Sequence, residues 1–176
     1  MNFLNLNSIK NKFYELRSFQ IFILSFSICL GFYIFEGLLG FDRFYHPDSS
    51  HYLLETKNYQ INIILSEPKI IFYKGYYILA SLLNYNYYLL IALNFFLYSL
   101  TNVFIYQKVY KRYFYSLSNT KLICLFYLFF LDPYRLHLAS HILKETTLIF
   151  LIIIIILAKI KTIKLLFILM LEVFRK

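Results

Sequence analysis

The sequence predicts an all-α protein: a polytopic transmembrane helical bundle forming a single integral-membrane domain over residues 1–176. Three observations carry this. Hydrophobic residues make up 60% of the chain and mean hydropathy is +0.61, more apolar surface than a soluble domain of 176 residues can bury. Apolar runs recur, and several approach the roughly 20 residues that cross a bilayer. The bases gather beside those runs and not on a polar face, which is how membrane orientation is written. The net charge of +9 therefore speaks for membrane topology and not for a nucleic-acid partner.

The elements follow in order. Residues 1–18 are polar and carry Lys10, Lys12 and Arg17 ahead of span 1 at 19–41. That run is too long for a signal peptide, and no small-residue cleavage site follows it. Glu36 lies late in the run, where its carboxylate is expected to snorkel to the outer interface. Residues 42–86 form a large first outer loop with interfacial helices. Pro47-Asp48-Ser49-Ser50 reads as a helix start with Asp48 at the N-cap, opening an amphipathic helix to about Tyr59. Ile70–Leu83, interrupted by Lys74-Gly75, suits an interfacial or re-entrant helix. Asn84-Tyr85-Asn86 reads as a turn, and span 2 follows at 87–106. Span 3 is short, at 118–131. Asp132-Pro133 is an N-cap acid with proline at the first helical position. It opens one helix that is expected to run to about Lys159, giving an outer-end segment and span 4 over 133–159. A partial fifth span occupies 165–176. Cys29 and Cys124 both fall in apolar runs and are expected to be buried, with neither disulfide nor metal spacing.

Lys10, Lys12 and Arg17, then Lys108, Lys111, Arg112 and Lys121, then Lys159, Lys161 and Lys164 mark one side of the membrane. The positive-inside rule makes that side, and the N-terminus, cytoplasmic. A bacterial inner membrane is the expected location, with about four complete spans and part of a fifth.

All four histidines then fall on the outer side. On an unbroken helix after Pro133, residues His137, Ser140, His141, Lys144 and Glu145 share one face within about 140°. Leu136, Leu138, Ala139, Ile142 and Leu143 take the other. Such a face fits an interfacial helix end with its polar side wet. It also fits a metal site, in which His137 and His141 share an ion and Glu145 or Asp48 completes the set. A divalent cation held by oxygens is a third expectation. Asp48 has a structural role open to it as well, since an N-cap aspartate stabilises its helix by about 1 kcal/mol.

The layout resembles a known family. One span leads to an outer loop holding Pro47-Asp48-Ser49-Ser50-His51-Tyr52-Leu53. An interfacial stretch with Gly75-Tyr76 follows, then a span ending in bases, a short span, and Lys144-Glu145 at the head of an apolar helix. This is similar to the N-terminal part of GT-C membrane glycosyltransferases, which include protein O-mannosyltransferases and aminoarabinose transferases. The resemblance implies transfer of a sugar from a polyprenyl-phosphate carrier to a glycan or protein acceptor on the extracytoplasmic side. It implies Asp48 as the catalytic residue, with Arg135, His141, Lys144 and Glu145 toward substrate and phosphate, and His51 and His137 as accessory groups. The family has seven or more spans and this sequence stops in the fifth. It therefore reads as a fragment, and the chain alone is expected to be inactive. The alternative is a non-catalytic polytopic membrane protein, a subunit or a transporter fragment.

Overall fold

The computed structural model of the protein describes residues 15–40, 75–84, 86–113 and 118–175. Most of the first outer loop, with Asp48, His51 and the amphipathic helix expected there, lies outside the described residues, as do Lys10 and Lys12. Among the described residues every regular element is helical. In chain order these are α1 (Ser18–Leu38), α2 (Gly75–Leu82), α3 (Tyr87–Ile105), α4 (Asn119–Phe130), α5 (Pro133–Ser140), α6 (Glu145–Leu157) and α7 (Lys161–Arg175). A π-helical turn, Tyr106–Tyr110, and a last turn, Lys111–Tyr113, prolong α3 beyond the expected end of span 2.

Local chemistry explains where several helices begin and end. Ahead of α1, the Gln20 carboxamide oxygen accepts from the Arg17 N–H at 2.7 Å. After α1, Gly40 takes φ 78°, the left-handed conformation in which a side chain is strained. At the head of α3, the Asn86 side-chain oxygen accepts from the N–H groups of Tyr88 and Leu89 at 3.0 and 3.2 Å. That cap follows a turn in which Asn84 has φ 52°, within the turn expected at 84–86.

Among the described residues two helices are long and apolar enough to cross a membrane, Ser18–Leu38 and Tyr87–Tyr110. α4 has 12 residues and α6 has 13. At 1.5 Å per residue each reaches about 18–20 Å, short of the roughly 30 Å hydrocarbon core.

α1 and α3 pack antiparallel, and polar bonds help to fix their register. Lipid is as apolar as leucine, so apolar contact alone discriminates poorly between helix rotations. Near the start of α1, the Gln107 amide donates to the Ser18 hydroxyl, and the Tyr106 hydroxyl donates to Leu16 O at 3.1 Å. Further along, Asn102 Nδ2 donates to Ser25 Oγ at 3.3 Å. Beyond these, Phe26 and Tyr33 meet Phe95 edge-on at centroid distances of 5.7 and 6.0 Å.

α5 lies against both members of this pair. Its Leu136 and Ala139, and Ile142 just beyond it, share a buried core with Cys29, Leu90, Phe95 and Tyr98, joined by Tyr76 and Ala80 of α2. α6 packs along α3, and α7 packs on α6.

Three sequence expectations are corrected. The single helix from Pro133 to about Lys159 is two helices, with the break at residues 141–144. The last helix starts at Lys161, four residues ahead of the expected Leu165, and Lys164, Phe167 and Leu171 recur at helical spacing on its less exposed side. Cys29 is buried as expected, but Cys124 is exposed.

Candidate functional site

The site is built from the broken segment 131–145 laid against α1 and α3. Asp132 caps α5 as expected: its carboxylate accepts from the Tyr134 N–H at 3.2 Å, with Pro133 at the first helical position. Proline there cannot continue the hydrogen bonding of α4, so the last carbonyls of α4 need other donors. The Tyr98 hydroxyl donates to Phe130 O at 2.9 Å. Arg135 Nη1 donates to Phe129 O at 2.6 Å, and its Nη2 donates to Asn102 Oδ1 at 3.2 Å. The guanidinium also lies over the Tyr98 ring, 4.8 Å from its centroid. Arg135 thus ties the α4–α5 junction to α3.

α5 runs two turns to Ser140, whose hydroxyl donates back to Leu136 O at 2.8 Å. His141 then leaves the helix with φ −119° and ψ 163°. No proline or glycine lies within 140–145 to cause this. The cause is in α3. Asn94, fully buried, donates from Nδ2 to His141 O at 2.7 Å and to Leu143 O at 3.4 Å. The Leu143 N–H closes the turn onto His141 O at 2.9 Å. A carboxamide from the neighbouring helix thus holds carbonyls that an unbroken helix would use itself.

This geometry aims two imidazoles at one carboxylate. His137 Nδ1 lies 2.7 Å from Glu36 Oε1, and His141 Nε2 lies 3.6 Å from Glu36 Oε2. The two rings approach to a centroid distance of 4.4 Å. The Glu36 side chain is only 12% exposed and that of His141 only 4%, whereas His137 is more open at 29%. The Glu36 carboxylate, expected to point along the span to its outer end, turns to the two histidines. An isolated buried carboxylate is costly in apolar surroundings, and the imidazoles offset that cost. Beside the cluster opens a cavity of about 270 Å³ lined by Tyr33, Ile34, Glu36, Gly37, Leu38, Tyr87, Ser140 and His141.

The other predicted site residues fall as follows. His137 and His141 come together, as their spacing suggests, but not through an unbroken helix. Lys144 is at the N-cap of α6 and Glu145 opens that helix. The break thus removes the common helical face expected for them with His137. The third member of the ligand-bearing group is Glu36, where Glu145 or Asp48 was expected. Arg135 is anchored about 9 Å further down α5 than His141, at 1.5 Å per residue. Asp48 and His51 lie outside the described residues.

Sequence reasoning had the signal for Glu36. An acid within an apolar span calls for a named partner, and histidines expected on the same side of the membrane supply it. Cysteines replacing Glu36 and His137, in a background without Cys29 and Cys124, are expected to join rapidly with a short bifunctional thiol reagent. A pair at Glu36 and Lys121 should not. Equal yields from the two pairs, in protein that remains monodisperse, would remove the cluster.

Comparison of the chain with family models, with curated proteins and with solved structures returns no match.

Proposed function

We propose that the chain forms part of a membrane glycosyltransferase of the GT-C kind, acting on the extracytoplasmic side of the bacterial inner membrane in surface-polysaccharide or other glycan assembly. A sugar would pass from polyprenyl phosphate to a hydroxyl of a glycan or protein acceptor. The supporting observation is the buried Glu36–His137–His141 group beside an open cavity. It sits at the end of α1 that leads directly into the loop holding Asp48.

In this reading Asp48 takes the acceptor's hydroxyl proton as that oxygen bonds to the anomeric carbon. The bond from that carbon to the phosphate oxygen breaks, and polyprenyl phosphate leaves with the electron pair. His141 lines the cavity and Lys144 follows it three residues later; their N–H donors meet the leaving phosphate's charge. Arg135 acts at a distance, by holding the α4–α5 junction.

The topology belongs to the same proposal. α1 and α3 cross fully; α4 and α5 laid end to end span about 30 Å, the thickness of a hydrocarbon core; α6 returns and α7 begins a fifth passage. The bases at Lys108, Lys111 and Arg112 put the N-terminus inside. An impermeant thiol reagent should therefore leave a cysteine at Tyr110 unlabelled in intact cells and label it after permeabilisation. Labelling from outside would reverse the orientation and move the cluster to the cytoplasmic side.

A second reading, a non-catalytic membrane subunit, is favoured by the structural contacts of Arg135, which bonds to Phe129 O and Asn102 Oδ1 and lies over the Tyr98 ring. Membranes carrying the full-length protein that the transfer reading implies, supplied with a radiolabelled polyprenyl-phosphate sugar, separate the two. Label should pass to a polymeric or protein acceptor, and its retention in the lipid fraction across sugar donors would favour the subunit.

A further inference from the structure

We propose that Glu36, His137 and His141 bind a divalent first-row transition-metal ion, with zinc the form to test, and leave a coordination position open toward the adjoining cavity. The inference goes beyond the transfer reading and is tested without any sugar donor or acceptor.

The donor set comes first. Two imidazole nitrogens and one carboxylate oxygen suit zinc and its neighbours, whereas magnesium and calcium favour oxygen ligands. Three protein ligands with a free position are the arrangement of reactive zinc sites, and four closed ligands that of structural ones.

Geometry comes next. One ligand atom from each residue lies within 4.8 Å of the other two. Bonds of about 2.0–2.1 Å in a tetrahedral centre place donors about 3.3–3.4 Å apart. The separations of 2.7 and 3.6 Å to the two carboxylate oxygens straddle that value.

Support from the surrounding fold is the third line. The ligands come from two helices and a turn, so none depends on a single loop. His141 is placed by the break that Asn94 holds through two carbonyls. Outer partners that orient ligands are a regular part of metal sites. A simple ion pair explains less. One imidazolium is enough to neutralise Glu36, and a second one with its ring centroid 4.4 Å away adds repulsion when both are charged. A dication balances the carboxylate and takes both imidazoles neutral. Glu36 and His141 line the same cavity as Tyr33, Tyr87 and Ser140, space from which an oxygen ligand such as water or a phosphate would reach a bound ion.

The test uses tag-free full chain in detergent micelles. Zn²⁺ should compete with a chromophoric chelator at one ion per chain. Co²⁺ in its place should give visible absorption bands of a low-coordinate site. Removing a group that merely orients a ligand costs about 10–100-fold in affinity, so Glu36→Gln or His141→Gln should weaken Zn²⁺ binding at least tenfold. X-ray absorption on the unaltered zinc-loaded protein should show two imidazoles and oxygen; it needs no variant and so stands even where a variant fails to fold. The proposal is overturned by failure of the parent to hold Zn²⁺ against the chelator, by a zinc spectrum without imidazole, or by parent-like affinity in folded Glu36→Gln.

Discussion

In the full-length enzyme that the transfer reading implies, replacing Asp48 with asparagine is expected to reduce sugar transfer by about 10²–10⁴-fold, the usual contribution of a general base. A hydroxyl acceptor is a weak nucleophile until its proton is accepted. The loop offers Asp42, Asp48, Glu55 and Glu67 as carboxylates, and only Asp48 stands in Pro47-Asp48-Ser49. Asparagine has nearly the size of aspartate and caps helices about as well. The substitution therefore removes the charge and spares the helix start. Loss of a cap costs only about 1 kcal/mol of stability, so the two roles differ in their readouts. Transfer is measured from a polyprenyl-phosphate sugar at matched membrane levels of the two proteins. Activity within about twofold of the parent, far from the loss of a base, would make Asp48 a helix cap and leave the transfer reading without its central residue. His46 and His51 could share the role; a double His46→Gln, His51→Gln protein with full activity would assign the proton to Asp48 alone.

The second large effect is expected at Asn94. Leucine there keeps the volume and removes the amide that fixes the turn after α5. His141 O would retain the Leu143 N–H at 2.9 Å, so the loss falls mainly on Leu143 O and on the shape of the turn. A buried acceptor deprived of its partner costs about 1–3 kcal/mol. Hydrogen bonds inside membrane proteins average lower, about 0.6 kcal/mol with a maximum near 1.7. We expect about 1–3 kcal/mol of destabilisation, read from unfolding in mixed micelles. A change below about 0.5 kcal/mol, less than the average for such bonds, would mean that the turn holds itself. Asn94 is fully buried, so solvent has no direct path to repair the loss.

What the sequence made legible was local. Asp132-Pro133 announced the start of α5, and Asn84-Tyr85-Asn86 announced the turn before α3, because caps and turns are decided within a few residues. The apolar runs of α1 and α3 were legible from length alone. The break at His141 was not. Helical periodicity ran through it without a proline or glycine, and the residue responsible is 47 positions away in α3. The partner of Glu36 was hidden in the same way, at a separation of 101 residues. Sequence spacing placed His137 and His141 together, but the carboxylate found beside them, Glu36, was not among those it offered, since nothing local relates α1 to α5. Arg135 shows what a sequence omits: an isolated base at the head of a helix says nothing of the carbonyl, carboxamide and aromatic ring that the fold brings against it.

The two buried asparagines of α3 also differ in when their partners are made. Ser25, which accepts from the Asn102 amide, precedes it in the chain and has already emerged when α3 is synthesised, although Asn102 Oδ1 also accepts from the later Arg135. Asn94 has no such predecessor, because the carbonyls it holds belong to residues 47 and 49 positions later. At about 5–20 residues per second, synthesis leaves that amide waiting for roughly 2–10 seconds before its acceptors exist. During biogenesis the helix is thus secured first at the end where Asn102 meets α1, and the end that later carries the carboxylate–imidazole group is completed last.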